Sequence, residues 1–365
     1  MAGWRNRGTG ALLAAALTLA APALAQTSDP RIALMEHAAW DALSKGHTRT
    51  AADIFRQALT SDPNNAQLHL GAATAAFTDR RDDDAKSELD RALSLDPKLV
   101  AARQLMGQVL HRKGDLPGAM RIYETLATDA PADAATQTTL ERWRREFDLQ
   151  LRMQQTFGGH FAVSFEGPAE EALAAQAIDS LNRAFDRICA ILNTYPTTTI
   201  PVVLYTTQQF SDITRAPSWA AGAYDGTIRV PVRGALDEEQ ELDRVLAHEF
   251  THALVHTLSA PAIPTWLNEG LATALEADSL DWATHRVSES KPVPLTVLRR
   301  SFGQFSGAQA QLAYATSALA VQRMLQDAGG FAVANLIRDL GDGADFGTAF
   351  AHRIQRSFED FQASL

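Results

Sequence analysis

Residues 51–63, AADIFRQALTSDP, return 34 positions later as AKSELDRALSLDP at 85–97, and again as AMRIYETLATDAP at 119–131. Ala51, Ala85 and Ala119 are small. Phe55, Leu89 and Tyr123 are large and apolar, and Ala58, Ala92 and Leu126 follow one turn later. Pro63, Pro97 and Pro131 close the copies. A fixed period of this length marks a supersecondary unit that buries its apolar face only by stacking on its neighbours. The small residues let two helices approach closely. Each proline ends the second helix of a pair, because it lacks an N–H donor and clashes with the preceding turn. Gly46 and Gly114 fall in the turns inside the first and third copies, with Arg80 to Asp83 in the second. These features predict three helical hairpins over 31–132, stacked as an all-α solenoid with a concave groove. A charged helix over 133–157 then caps the stack and connects it to the second half of the chain.

The period and its small, aromatic and proline positions resemble tetratricopeptide repeats. The resemblance implies a docking surface for a peptide or a protein partner. A spacer that only positions the rest of the chain accounts for the same pattern.

After Gly158-Gly159 the composition shifts. Phe161–Phe165 alternates as a strand, 169–193 reads as an amphipathic helix, and 200–205 and 227–232 read as two further strands. Pro231 suits an edge strand, where a missing N–H is tolerated. Such an edge can take an extended peptide by strand addition, or simply close the sheet. Gln311–Ala328, Phe331–Leu340 and Phe346–Phe361 read as helices, the first ended by Gly329-Gly330.

Within this second half stands His248-Glu249-Phe250-Thr251-His252. Leu242, Val245, Leu246, Ala253 and Leu254 recur around it at helical spacing, so the segment reads as a partly buried helix. On a helix, residues four apart share a face, so His248 and His252 can reach one metal ion. Glu249 turns to a neighbouring face, within reach of a water on that metal. Glu269, in Trp266-Leu267-Asn268-Glu269-Gly270, supplies a carboxylate 17 residues after His252. Two histidines and one carboxylate make the ligand set of a hydrolytic zinc site with one open position. His256 also lies near this face and reads as an outer-sphere or packing residue. The alternative H-E-x-x-H-x-x-G-x-x-H pattern fails, because Val255 and Leu258 occupy its glycine and third histidine.

The two motifs together resemble the gluzincin zinc metallopeptidases, above all the peptidase MA-like domains. Tyr224-Asp225-Gly226-Thr227-Ile228-Arg229-Val230-Pro231 and Tyr314-Ala315-Thr316-Ser317 extend the likeness over about 160–361. The resemblance implies an α+β zinc peptidase domain over 158–365, with one Zn2+ per chain on His248, His252 and Glu269. It implies Glu249 as the general base. Tyr314 matches by position the downstream tyrosine or histidine that steadies the developing oxyanion; a tyrosine packing the last helices is the other reading. Tyr224 and Asp225 are weaker candidates for substrate contact, and Thr273 for orienting a ligand. The G-x-M-E-N segment that anchors a free substrate amine in aminopeptidase relatives is missing, which favours an endopeptidase. Two other readings stand beside it: a tetratricopeptide interaction scaffold carrying a slow or inactive zinc-binding domain, and a non-peptide amidase.

The first 25 residues read as a secretory signal. Arg5 and Arg7 form the charged region, Ala11–Ala21 the apolar core, and Ala23-Leu24-Ala25 the cleavage site before Gln26. The expectation is an exported protein, periplasmic or secreted, with no integral membrane segment after cleavage. The chain's single cysteine, Cys189, rules out an internal disulfide, and its apolar surroundings read as core. The net charge of −10 falls to −12 once Arg5 and Arg7 are removed, which argues against nucleic acid as a partner.

Overall fold

The structure, a computed structural model, describes residues 29–45, 47–167, 171–214, 223–224, 226–231, 239–259, 263–299, 302 and 305–365. The expected leader at 1–25, Gly46 and Asp225 lie outside them. The described residues form two compact units, divided between Gln150 and Leu151.

The first unit is helical throughout. Its helices are α1 (Pro30–Ser44), α2 (Thr48–Ser61), α3 (Ala66–Thr78), α4 (Asp82–Leu95), α5 (Val100–Arg112), α6 (Leu116–Asp129) and α7 (Ala134–Gln150). The first six pair as the repeat predicts, each second helix ending two residues before its proline. Ala51, Ala85 and Ala119 are fully buried, as are Phe55, Leu89, Ala58 and Ala92. The approach of α2 and α3 is so close that a Cβ on Gly71 would lie 2.2 Å from the Phe55 ring. The turn of the second hairpin places Arg80 at φ 60°, where the third has Gly114 at φ 83°. In α7, Trp143 meets Tyr123 edge-on at 4.5 Å and stacks on His111 at 4.9 Å, so α7 seals the last repeat.

Here the expected connector differs. The helix stops at Gln150, and Met153–Gly158 is a strand, β1, paired antiparallel with β2 (Phe161–Glu166). The chain turns at Gly159-His160, with Gly159 at φ 59°, so Gly158-Gly159 lies inside a hairpin and is not the boundary between units. Pairing to a buried neighbour overrides the weak helical pattern of 153–158.

The second unit carries a mixed five-stranded sheet, completed by β3 (Ile200–Tyr205), β4 (Ala223–Tyr224) and β5 (Ile228–Pro231), in the order β1-β2-β3-β5-β4. β2, β3 and β5 are parallel, and the outer strands β1 and β4 run antiparallel to their neighbours. β5 is thus not the edge strand expected from Pro231. It lies between β3 and β4, but the two-residue β4 pairs only Ile228 and Arg229, so the missing N–H of Pro231 falls beyond that ladder. Helix α8 (Glu171–Leu192) crosses from β2 to β3, and α9 (Thr207–Thr214) follows β3. Then come α10 (Glu239–Leu258), α11 (Thr265–Leu275), α12 (Asp281–Ser288), α13 (Gly307–Ala328), α14 (Gly330–Gly341), α15 (Phe346–Ile354) and α16 (Phe358–Ala363). The expected final helix is two, interrupted at Gln355, which is left-handed at φ 59°. Phe161 of β2, Phe185 of α8 and Phe250 of α10 join at ring distances of 5.7–6.3 Å and anchor α10 in the core. Among the described residues, no helix is long and apolar enough to cross a membrane.

Candidate metal centre

Helix α10 has its apolar stripe where the periodicity predicts it: Leu242, Val245, Leu246, Ala253 and Leu254 are all buried. That register turns His248 and His252 toward α11. Helix α11 starts at Thr265 and packs tightly against α13. A Cβ on Gly270 would lie 2.5 Å from the backbone oxygen of Ser317 and 2.8 Å from Val321 Cγ2. Only glycine fits there, and the close approach sets the position of its neighbour Glu269.

One potential ligand atom from each of His248, His252 and Glu269 lies within 4.8 Å of the others, and all three residues are buried. The two Nε2 atoms are 3.2 Å apart. Glu269 Oε2 stands 3.8 Å from His248 Nε2 and 3.7 Å from His252 Nε2, and it has no hydrogen-bond donor. Two donors on a tetrahedral zinc, each about 2.0–2.1 Å from it, stand about 3.3 Å apart. The nitrogen pair matches that spacing. The orphaned carboxylate oxygen, too costly to bury without a partner, would supply the third donor. The donor set therefore fits a zinc ion.

The outer faces of both imidazoles are held. His248 Nδ1 donates to Glu276 Oε2 at 2.6 Å, and His252 Nδ1 donates to Asn268 Oδ1 at 3.2 Å. Each bond places the proton on Nδ1 and leaves Nε2 facing the centre. Neither Glu276 nor Asn268 was singled out from the sequence. The available signals were that Asn268 adjoins Glu269 and that Glu276 follows it by two helical turns.

Electrostatics describe a cation site. Burial opposes a charged His248, but the neighbouring Glu269, the hydrogen bond to Glu276 and the nearby carboxylate charges outweigh it and raise its pKa to about 10. Burial pulls His252 down to about 4. Burial, aided by the charges of Glu269 and Glu276, pushes the Glu249 carboxyl up to about 8, and Glu249 Oε2 has no hydrogen-bond partner. A proton held among three carboxylates is one that a metal ion would displace.

Tyr314, on α13, comes to the same centre. Burial together with the charges of Glu269, Glu249 and Glu276 holds its pKa well above the usual phenol value. Its ring meets Phe302 edge-on at 5.2 Å, so the side chain also packs. The Thr273 hydroxyl is buried without a hydrogen-bond partner and does not hold Glu269. His256 meets Tyr224 edge-on at 5.7 Å.

Among known proteins, residues 42–98 match the family model described as tetratricopeptide repeat. The N-terminal region carries tetratricopeptide repeats. Solved structures are similar to about a third of the chain. The first tetratricopeptide-repeat domain of Spaghetti (RPAP3), bound to an HSP90 peptide, is 19% identical, covers 32% of this chain and 95% of its own, and has a TM-score of 0.31. The second such domain of human RPAP3, in complex with an HSP70 peptide, is 21% identical, with 31% and 96% covered and a TM-score of 0.30. The search of curated proteins gives no match.

Proposed function

We propose that the second unit is a zinc-dependent peptidase, acting as an endopeptidase, and that the tetratricopeptide-repeat region recruits its protein substrate or a partner. The observation carrying this reading is the buried convergence of His248, His252 and Glu269, with the orphaned Glu249 carboxylate beside them. His248, His252 and Glu269 would hold a zinc ion, which when bound would supply Lewis acidity toward a water and a substrate carbonyl. Glu249, whose Oε2 has no hydrogen-bond partner, would accept a proton there and return it to the departing amine. Tyr314 stays protonated and donates its hydroxyl to the charge that develops on the carbonyl oxygen. Glu276 and Asn268 keep the two imidazoles in the ligating tautomer.

Purified protein should carry close to one zinc per chain by elemental analysis. His252→Ala should lose most of it, while Glu249→Gln should keep zinc and lose turnover on a peptide library. Full zinc retention in a His248→Ala/His252→Ala double variant refutes the assignment. A second reading is favoured by the family match, which falls within the repeats: an interaction scaffold whose zinc-binding unit is slow or inactive. Zinc-loaded protein that binds peptides but cleaves none of the library decides for it. We also propose export, and N-terminal sequencing of the protein from its producing cell should begin at or near Gln26; recovery of the chain from the cytoplasm with Met1 intact contradicts this.

A further inference from the structure

We infer that Arg244 is a positioning residue for this centre: it fixes the Glu276 carboxylate that orients His248. The inference rests on the zinc reading above. Arg244 stands one helical turn before His248 on α10. Its Nη1 donates to Glu276 Oε1 at 2.8 Å, while the other oxygen of Glu276 accepts from His248 Nδ1 at 2.6 Å. Behind it, Glu241 takes two further bonds from the same guanidinium, from Nε at 2.9 Å and from Nη2 at 2.7 Å. The chain Glu241–Arg244–Glu276–His248 runs from the surface of α10 inward to the ligands.

The need for this clamp comes from where Glu276 sits. It caps the C-terminus of α11, where the helix no longer fixes the following backbone. It is also a buried carboxylate in the same centre as Glu249 and Glu269, whose charges repel it. A guanidinium offsets that repulsion, stays charged at any working pH, and holds two carboxylates at once through its planar fork. With one oxygen of Glu276 taken by Arg244, the other is aimed at His248 Nδ1. That leaves His248 Nε2 directed at His252 and Glu269. Lysine has charge but no fork, so it can hold Glu276 but not both partners. If Arg244 only tied α10 to α11, its loss would lower stability without changing the metal affinity of the folded chain.

The test uses the full chain. Zinc affinity is measured by competition with a chromophoric chelator, alongside the melting temperature of the metal-free protein. The variants are Arg244→Met, Arg244→Lys, Glu276→Gln and the Arg244→Met/Glu276→Gln double. Arg244→Met should weaken zinc binding about 10–100-fold, the scale of lost outer-sphere partners, and Arg244→Lys should recover part of it. In the Glu276→Gln background, Arg244→Met should change affinity by no more than about twofold, since groups acting through one another are not additive. Wild-type zinc affinity in folded Arg244→Met overturns the inference, and so do losses that multiply in the double variant. If Arg244→Met does not fold, the same cycle with Arg244→Lys carries the test. A wild-type chain that binds no zinc is a different result; it overturns the zinc reading, and this inference with it.

Discussion

Gly270→Ala separates helix propensity from packing, because the two predict opposite signs. In an exposed helix interior, alanine stabilises relative to glycine by about 1 kcal/mol. Gly270 is instead buried against α13, where a new Cβ would meet Ser317 O at 2.5 Å, the Ser317 carbonyl carbon at 2.9 Å and Val321 Cγ2 at 2.8 Å. Two of those atoms are backbone, so no side-chain rotation relieves them and the helices must separate. Overpacking of this kind costs about 1–3 kcal/mol, and a backbone obstacle puts it at the upper end. Subtracting the propensity gain leaves a net loss of about 2 kcal/mol. For a unit of this size, that lowers the melting temperature of its transition by about 4–8 °C. Separation also carries Glu269 away from the centre and Tyr314 away from Glu269, so zinc affinity should fall as well. Gly307→Ala is the control: it stands at the first position of α13, and its Cβ would meet nothing within 4 Å. It should be neutral or slightly stabilising. Scanning calorimetry and zinc titration of both variants decide the matter. Gly270→Ala at or above wild-type stability would show that α11 and α13 are not packed as described.

Tyr314→Phe should keep zinc and fold but lower kcat about 10²–10³-fold on short peptides, the scale of one lost oxyanion donor; unchanged kcat returns Tyr314 to a packing role. A fragment starting at Leu151, where the second unit begins, should keep zinc and cleave short unstructured peptides. It should lose kcat/KM selectively on a protein substrate, because remote docking energy is gone; equal loss on both substrate types means the repeats support the catalytic unit directly. Cys189 is buried, and burial with the Asp186 charge pushes its thiol up to about 12. A chromogenic disulfide reagent at neutral pH should therefore find no reactive thiol in the native chain and one after denaturation; rapid native labelling contradicts that burial.

The repeats were legible because their signal is redundant: four positions recur at one period, and each has its own steric reason. The convergence of His248, His252 and Glu269 was legible for a similar reason. His248 and His252 are fixed relative to one another by helix geometry alone, and Glu269 sits in a short apolar helix start. What failed depended on partners distant in sequence. Residues 153–158 carry no alternation of their own and become a strand only because β2 pairs with them. Pro231 suggested an edge, yet a strand of two residues suffices to cover the first half of β5 and leave the proline outside the ladder. Arg244 and Glu276 each lie within two helical turns of a ligand in sequence. Neither shows its role until α10 and α11 cross, because 32 residues separate the two halves of that ion pair.

Arg80 stands at a left-handed turn where the third repeat has Gly114. Such a conformation costs a side-chain-bearing residue about 1–2 kcal/mol, a cost that glycine escapes. The second and third hairpins are thus unequal in kind, and the second carries strain that the third does not. In a linear array held only by nearest-neighbour interfaces, such a repeat is where cooperativity is weakest and where opening starts. Amide hydrogen exchange should find its earliest breathing around the α3–α4 turn, inside the stack and not at an end. A solenoid that opens from its middle bends there, and the curvature it offers a partner becomes adjustable at one fixed joint.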